Sequence, residues 1–304
     1  MAETGSVALY IAFVLAAYAA VGSVLVKLRA NPALVRSTQG AAYMVPVALG
    51  VATVALIMAF LRHDFQIEYV FAHSNLAMNP AYSWVAFYAG NEGSLLYVAL
   101  VLSLGAAVTV ALGRGTLAAA LPYTTAILMS VVLFFLGVLV TMANPFDLLP
   151  FTPMDGQGMN PLLTHPGMFI HPPMQMAGLI GVTVPFSIAM GILLAGSQTD
   201  ESVEAMRVWG LLSWVVLGIG VLLGAWWAYT ILGWGGYWGW DAIENVALMP
   251  WLVLTAFLHS IMVQKRRGMF RTWNIVLISL AFVLSLFGIF INRGGPVPSV
   301  HSFA

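Results

Sequence analysis

An aromatic block in the second half of the chain carries the residue types best suited to ligand binding. It reads WGGYWGWDAIEN over residues 234–245 and lies between two apolar segments. Membrane interiors strongly penalise carboxylates, so this block is expected at a membrane interface. A belt of interfacial aromatics accounts for any single ring. The glycines between Trp234, Trp238 and Trp240 permit close backbone approach, and the block therefore predicts a flat platform for a planar apolar ligand.

Two acids end this block, Asp241 and Glu244. They are three residues apart, so they share a face if a helix begins there. Capping of the next helix and ordering of the loop explain them better than acid–base chemistry. Both are kept as candidate site residues.

His171 lies at the end of a proline-rich loop and is followed by Pro172 and Pro173. Proline pushes the preceding residue toward an extended conformation and itself suits the first turn of a helix. His171 is therefore expected at a helix N-terminus with its direction restricted, as a metal ligand requires. A capping or interfacial polar role remains open from the residues alone.

His259 lies about twelve residues inside an apolar segment. At 1.5 Å per residue this is roughly 18 Å along a helix, near the middle of a ~30 Å hydrocarbon core. An ionisable side chain at that depth predicts a functional role. The alternative is a neutral histidine bonded to a neighbouring helix.

The composition shows which kind of element must position these side chains. With 61% hydrophobic and 7% charged residues, the chain predicts an all-α, polytopic integral membrane protein. There is no cysteine, so any thiol chemistry must come from a partner, and the zero formal net charge does not indicate nucleic acid. Eight transmembrane helices are predicted, near 6–27, 40–61, 92–113, 117–142, 174–196, 207–228, 247–264 and 271–291.

Basic residues predict the orientation of these helices. Nine of the 11 Lys and Arg fall on one side, which is expected to be cytoplasmic, and only Arg62 and Arg293 fall on the other. The chain is thus predicted to be a single multi-pass domain, residues 1–304, in the cell membrane with both termini outside. Function is expected on the outer face, in the loops at 62–91, 143–173, 226–247 and 292–304.

The aromatic block resembles the tryptophan-rich "WWD" signature of haem-handling proteins in cytochrome c maturation, and its surroundings resemble CcmF. The segment before the third helix, Gly-Asn91-Glu92-Gly-Ser, is similar to a Gly-x-Glu-Gly-Ser segment of CcmF, although Glu92 is also explained as a first-turn acid. The loop over residues 160–173 resembles the CcmF loop with the first external haem-ligand histidine. The stretch over 292–303 resembles the one with the second.

This resemblance implies a transferable haem b on the outer face, with His171 and His301 as its axial pair and the tryptophans at the edge facing the partner. Arg293 is then expected to pair with a propionate, although an interfacial snorkelling role is equally open. The resemblance also implies that His259 ligates a buried haem b whose second ligand belongs to a later helix.

The chain departs from the CcmF pattern in several places. Tyr237, Gly239 and Ala242 replace larger or different residues of the signature, and Asn91 stands where histidine is common. His165 is an additional histidine to which no ligand role is assigned. CcmF is about twice as long, so the chain is expected to correspond to an N-terminal half. A second polypeptide then supplies the other half, or the buried haem is absent.

The resulting hypothesis is the haem-handling part of a thioether-forming cytochrome c haem lyase. Its partners would be a CcmE-like haem chaperone, an apocytochrome c, the second polypeptide and membrane lipid, with no nucleic acid. The alternatives are a haem exporter or CcsA-type lyase, and a membrane haem-binding, quinol-linked electron-transfer subunit.

Overall fold

The computed structural model describes residues 1–29 and 31–299. The predicted ligand His301 lies outside these residues. Eleven α-helices form the described chain, with three short 3-10 turns between them. The helices are α1 (Ala2–Arg29), α2 (Pro32–Leu61), α3 (Glu68–His73), α4 (Ser83–Phe87), α5 (Asn91–Thr116), α6 (Leu121–Thr141), α7 (His171–Gly181), α8 (Thr183–Ala195), α9 (Asp200–Ile231), α10 (Ala242–Arg267) and α11 (Arg271–Gly294).

Eight segments of the described chain are long and apolar enough to cross a membrane, which confirms the polytopic all-α prediction. The second begins at Pro32 rather than near residue 40. Asn31 explains this earlier start, because its side-chain oxygen accepts a hydrogen bond from the Ala33 amide at 2.9 Å and caps the helix.

The fifth membrane segment is interrupted, which the apolar pattern did not predict. α7 ends at Gly181, and α8 begins at Thr183. Pro185 accounts for the break, because it has no N–H to donate to the carbonyl of the residue four positions earlier. The segment also begins at His171 itself, three residues before the predicted start.

The membrane helices pack as two groups. α1, α2, α5 and α6 contact one another, and α7 to α11 form the second group; α5 and α6 join them by packing on α7 and α8. Small residues permit close contact in lipid, where helix association depends on packing. A Cβ on Gly178 of α7 would lie 2.4 Å from the Leu217 Cα of α9. Helix α7 is therefore held tightly against α9.

The two long loops that are predicted to lie outside, 62–91 and 143–173, pack on each other and cover one end of the bundle. An isolated antiparallel bridge joins Ile67 to Leu148. The Gln157 amide donates to the Phe71 carbonyl at 2.8 Å. We call this pair of loops the outer cap. It provides a fixed support for the segment that ends at His171.

Candidate functional site

His171 is the first residue of α7 and is tied to α9. Its Nδ1 donates to the Gly220 carbonyl at 2.8 Å, and its ring lies nearly parallel to Trp227, with centroids 6.5 Å apart. Gly224 permits this approach, since a Cβ there would lie 2.5 Å from the His171 ring. A neutral imidazole with its proton on Nδ1 carries its lone pair on Nε2. The ring therefore has the tautomer and restricted orientation typical of a metal ligand.

Three aromatic side chains from outside the loop hold the backbone on both sides of His171. Their hydrogen bonds are Trp84 Nε1 to Phe169 O at 3.2 Å, Tyr88 OH to Met168 O, and Tyr97 OH to Pro173 O at 3.2 Å. Burial raises the pKa of Tyr88, so its hydroxyl remains a donor. Sequence reasoning missed these residues, although an aromatic cluster directly before a membrane helix was a usable signal.

Two small cavities adjoin His171. One has a volume of 70 Å³ and is lined by His171, Trp227 and Arg293, among others. The second has a volume of 30 Å³ and is lined by His171, Trp238 and Glu244. The structure thus brings together His171, Trp238, Glu244 and Arg293, four of the predicted site residues.

Arg293 and Trp238 each have a buried nitrogen with no hydrogen-bond acceptor among the described residues. These atoms are Arg293 Nε and Trp238 Nε1. The Arg293 guanidinium has only a weak contact, from one terminal nitrogen to Met176 Sδ at 3.7 Å. A buried donor without an acceptor costs about 1–3 kcal/mol. Both residues therefore provide donors for an acidic ligand group beside His171.

The other two tryptophans of the aromatic block lie on the surface. Trp234 packs over Gly239 and donates from Nε1 to the Gly236 carbonyl at 2.8 Å. Trp240 is 72% exposed and meets Trp238 edge to face at 87°. Trp238 and Trp240 therefore do not form the flat platform expected from the sequence, because their ring planes are nearly perpendicular. Trp240 itself has φ of 57°, in the left-handed region that such residues rarely adopt.

The two acids of the block cap α10 and order the loop, as the sequence favoured. Asp241 accepts from the Ile243 amide at 3.1 Å. Glu244 is 8% exposed and accepts from the amides of Gly239 at 2.9 Å and Asp241 at 3.2 Å. Ser299 donates to the Asp241 carboxylate. The segment that follows α11 therefore returns to the loop between α9 and α10, residues 232–241, which we call the aromatic loop.

Three further positions line neither of the two cavities beside His171. His165 accepts the Gly167 amide on Nδ1 at 3.0 Å and caps a 3-10 turn, and its ring also contacts Trp226 and Thr230 of α9. His259 is exposed on α10, and its Nδ1 donates to the Thr255 carbonyl at 2.8 Å, so its bond is within its own helix and not with a neighbouring one. Glu92 lies in the first turn of α5.

These features define a polytopic α-helical membrane protein with an oriented histidine at one end of its bundle. The family model described as "Cytochrome C assembly protein" matches residues 88–295, about two thirds of the chain, and the chain belongs to this family. Its relatives in this family are named as cytochrome c-type biogenesis proteins.

Within this family the predicted resemblance to CcmF is confirmed. The chain is 44% identical to the cytochrome c-type biogenesis protein CcmF of Pseudomonas aeruginosa over 250 residues, 82% of this chain and 38% of that protein. It is 34% identical to CcmF of Haemophilus influenzae over 100% of this chain and 47% of the relative. A solved structure titled "Cytochrome c Heme Lyase CcmF" superposes with a TM-score of 0.84 at 32% identity, covering 97% of this chain and 47% of that one. The chain thus spans less than half the length of these proteins.

Proposed function

We propose that this chain holds haem at its outer face and presents it for covalent attachment to the Cys-x-x-Cys-His thiols of an apocytochrome c. The arrangement around His171 is the observation that carries the proposal. A ring fixed through Nδ1 lies beside two cavities, one lined by Arg293 and the other by Trp238, and each of these residues has a buried nitrogen with no acceptor among the described residues. An axial ligand and donors for acidic substituents are what haem requires.

Each residue has a distinct role in this proposal. His171 ligates the iron through Nε2, and Arg293 pairs with a propionate. His301 is assigned as the opposite ligand on the resemblance alone. Haem is the substrate, and each thioether forms when a thiol S–H adds across a vinyl group. This chain contains no cysteine, so both thiols come from the client. The chain contributes position and orientation.

The cavities beside His171 are too small to enclose haem. Ligand pockets for molecules of drug size measure about 300–1,000 Å³, well above the 70 Å³ beside His171. The haem macrocycle therefore fits only if the aromatic loop, residues 232–241, moves away from His171. The macrocycle would then lie against the displaced loop and remain partly exposed to solvent. The surface positions of Trp234 and Trp240 suit contact with an incoming client, and the apolar edge of haem would then face the thiols.

His259 supports the proposal of a second, buried haem b. It is an exposed polar group on a membrane helix, and such a group is costly in contact with lipid. Its Nδ1 is bonded to Thr255, which directs Nε2 outward. We propose that a further membrane helix, of the part of the relatives that this chain does not match, covers this face and supplies the opposite ligand. The haem chaperone and apocytochrome would bind at the outer face.

The test is the haem content of the purified chain, measured by optical spectrum and pyridine haemochrome. His171→Ala and Arg293→Gln should each lower it, and His301→Ala should do so if His301 is the opposite ligand. His165→Ala is the matched control, because that histidine belongs to the same loop but lines neither cavity beside His171. Haem that depends on His259 and not on His171 would refute the outer site. Equal loss in His165→Ala would indicate damage to the loop instead.

A further inference from the structure

A large cleft at the opposite end of the bundle has no part in the proposed function. It lies between the ends of α1, α2, α5 and α6 that carry Lys27, Arg36, Arg114 and Leu121, and its volume is 740 Å³. This is within the range of about 300–1,000 Å³ typical of small-molecule sites. Because this end holds most of the basic residues of the chain, it is the predicted cytoplasmic end.

Among the described residues that line this cleft, three are cations, Lys27, Arg36 and Arg114, and none is acidic. In the part of the chain that the structure describes, both ion pairs involve Glu204, which binds Arg207 and Lys265 at the other side of the bundle. The cleft cations therefore repel one another without a counter-charge. An anion between them would lower the electrostatic free energy.

Aromatic side chains position two of these cations without neutralising them. Arg114 donates to the Tyr43 hydroxyl at 3.1 Å and lies 5.7 Å from its ring centroid. Lys27 lies over the Tyr123 ring at 5.3 Å. Contacts of this kind orient a cation and leave its charge available to a ligand.

Apart from Gln39 and Tyr43, the remaining lining of the cleft is apolar, and a glycine leaves space within it. Val26, Val35 and Leu121 contribute hydrocarbon beside the cations. A Cβ on Gly40, which also lines the cleft, would meet nothing within 4 Å. A ligand that fits has an anionic end and an apolar body, and it must be available at the membrane surface.

We propose that this cleft binds the headgroup of an anionic phospholipid from the predicted inner leaflet. The phosphate lies among Lys27, Arg36 and Arg114, and the glycerol and upper acyl chains follow the apolar wall. Basic pockets between membrane helices on the cytoplasmic side are suited to such lipids. The proposal does not depend on haem binding at the outer face.

The test compares lipid binding by charge-matched variants of the purified chain in detergent. Native mass spectrometry would measure binding of phosphatidylglycerol and of phosphatidylcholine. R36Q/R114Q removes two cleft charges, and R266Q/R267Q removes two from the same end outside the cleft. At about 1 kcal/mol per basic residue, R36Q/R114Q should weaken phosphatidylglycerol binding about thirtyfold. R266Q/R267Q should bind it as the wild type does.

Two further variants separate the lipid site from a folding defect. R36K/R114K keeps the charge and should retain binding, and Gly40→Leu should lower binding by filling the cleft with no change in charge. Equal binding by R36Q/R114Q and the wild type would overturn the proposal, as would equal weakening in R266Q/R267Q. Displacement of the lipid by millimolar inorganic phosphate would also overturn it, because a free anion site would then explain the cleft.

Discussion

Replacement of Glu244 by alanine should release the aromatic loop while leaving the bundle folded. The Glu244 carboxylate accepts from the amides of Gly239 and Asp241 and is almost fully buried. Hydrogen bonds to a charged acceptor contribute about 1.5–3 kcal/mol each, so their combined loss costs about 3 kcal/mol or more. Local opening of the loop would then become about a hundredfold more frequent.

Hydrogen–deuterium exchange of the peptide covering residues 236–245 measures this opening directly. Glu244→Ala should exchange about a hundredfold faster there, with little change in α5 or α6. Glu244→Gln keeps one oxygen acceptor and should give an intermediate rate. Glu3→Ala is the control, since Glu3 is an exposed first-turn acid of α1. If exchange in the loop is the same in Glu244→Ala and Glu3→Ala, the carboxylate does not hold the loop and the reasoning fails.

Three further predictions concern the support around His171. Tyr88→Phe leaves the buried Met168 carbonyl without its donor, which costs about 1–3 kcal/mol. The variant should therefore show lower thermal stability and a lower haem content. Unchanged haem content would show that this hydrogen bond does not orient the loop. Gly178→Ala should lower the midpoint of thermal unfolding by forcing α7 from α9, at a cost of about 1–3 kcal/mol, whereas Gly50→Ala meets nothing within 4 Å and should not. Burial lowers the pKa of His73 below its ordinary 6.5, outweighing the Tyr69 carbonyl and Glu92, which both raise it. The unfolded chain therefore binds a proton there more readily, so the stability of the outer cap should fall as pH drops below 6.5, and His73→Gln should flatten that profile.

The membrane segments were predictable because length and hydrophobicity suffice to mark them. Each of the eight segments contains a continuous apolar run long enough to cross the hydrocarbon core, which a helix of a soluble protein does not require. The break at Val182 was not predicted, because a single proline in an apolar run is compatible with either a kink or a continuous helix. The early start of α2 required the cap at Asn31, which composition does not reveal.

The candidate site was predictable only where a residue's neighbours in sequence also fix its direction. His171 satisfies this condition, since two prolines follow it, and the cap at Asp241 and Glu244 is likewise local. The contacts of Trp84, Tyr88 and Tyr97 with the His171 loop join residues about 80 positions apart. The perpendicular arrangement of Trp238 and Trp240 accompanies a left-handed backbone at Trp240, with φ of 57°. Neither feature follows from residue types.

The site combines a fixed side and an accessible side, and this division suits a protein that passes its ligand on. His171 is held by Gly220, by the packing of α7 on α9 and by the outer cap, so its position does not depend on the ligand. Trp234 and Trp240, in contrast, lie exposed on a loop held chiefly through Glu244. An enclosing pocket would retain haem by burying it. Under the proposed function, a rigid ligand beside a displaceable loop would orient haem while one edge remains open to a client, and release would require exchange of a ligand and not unfolding of the site.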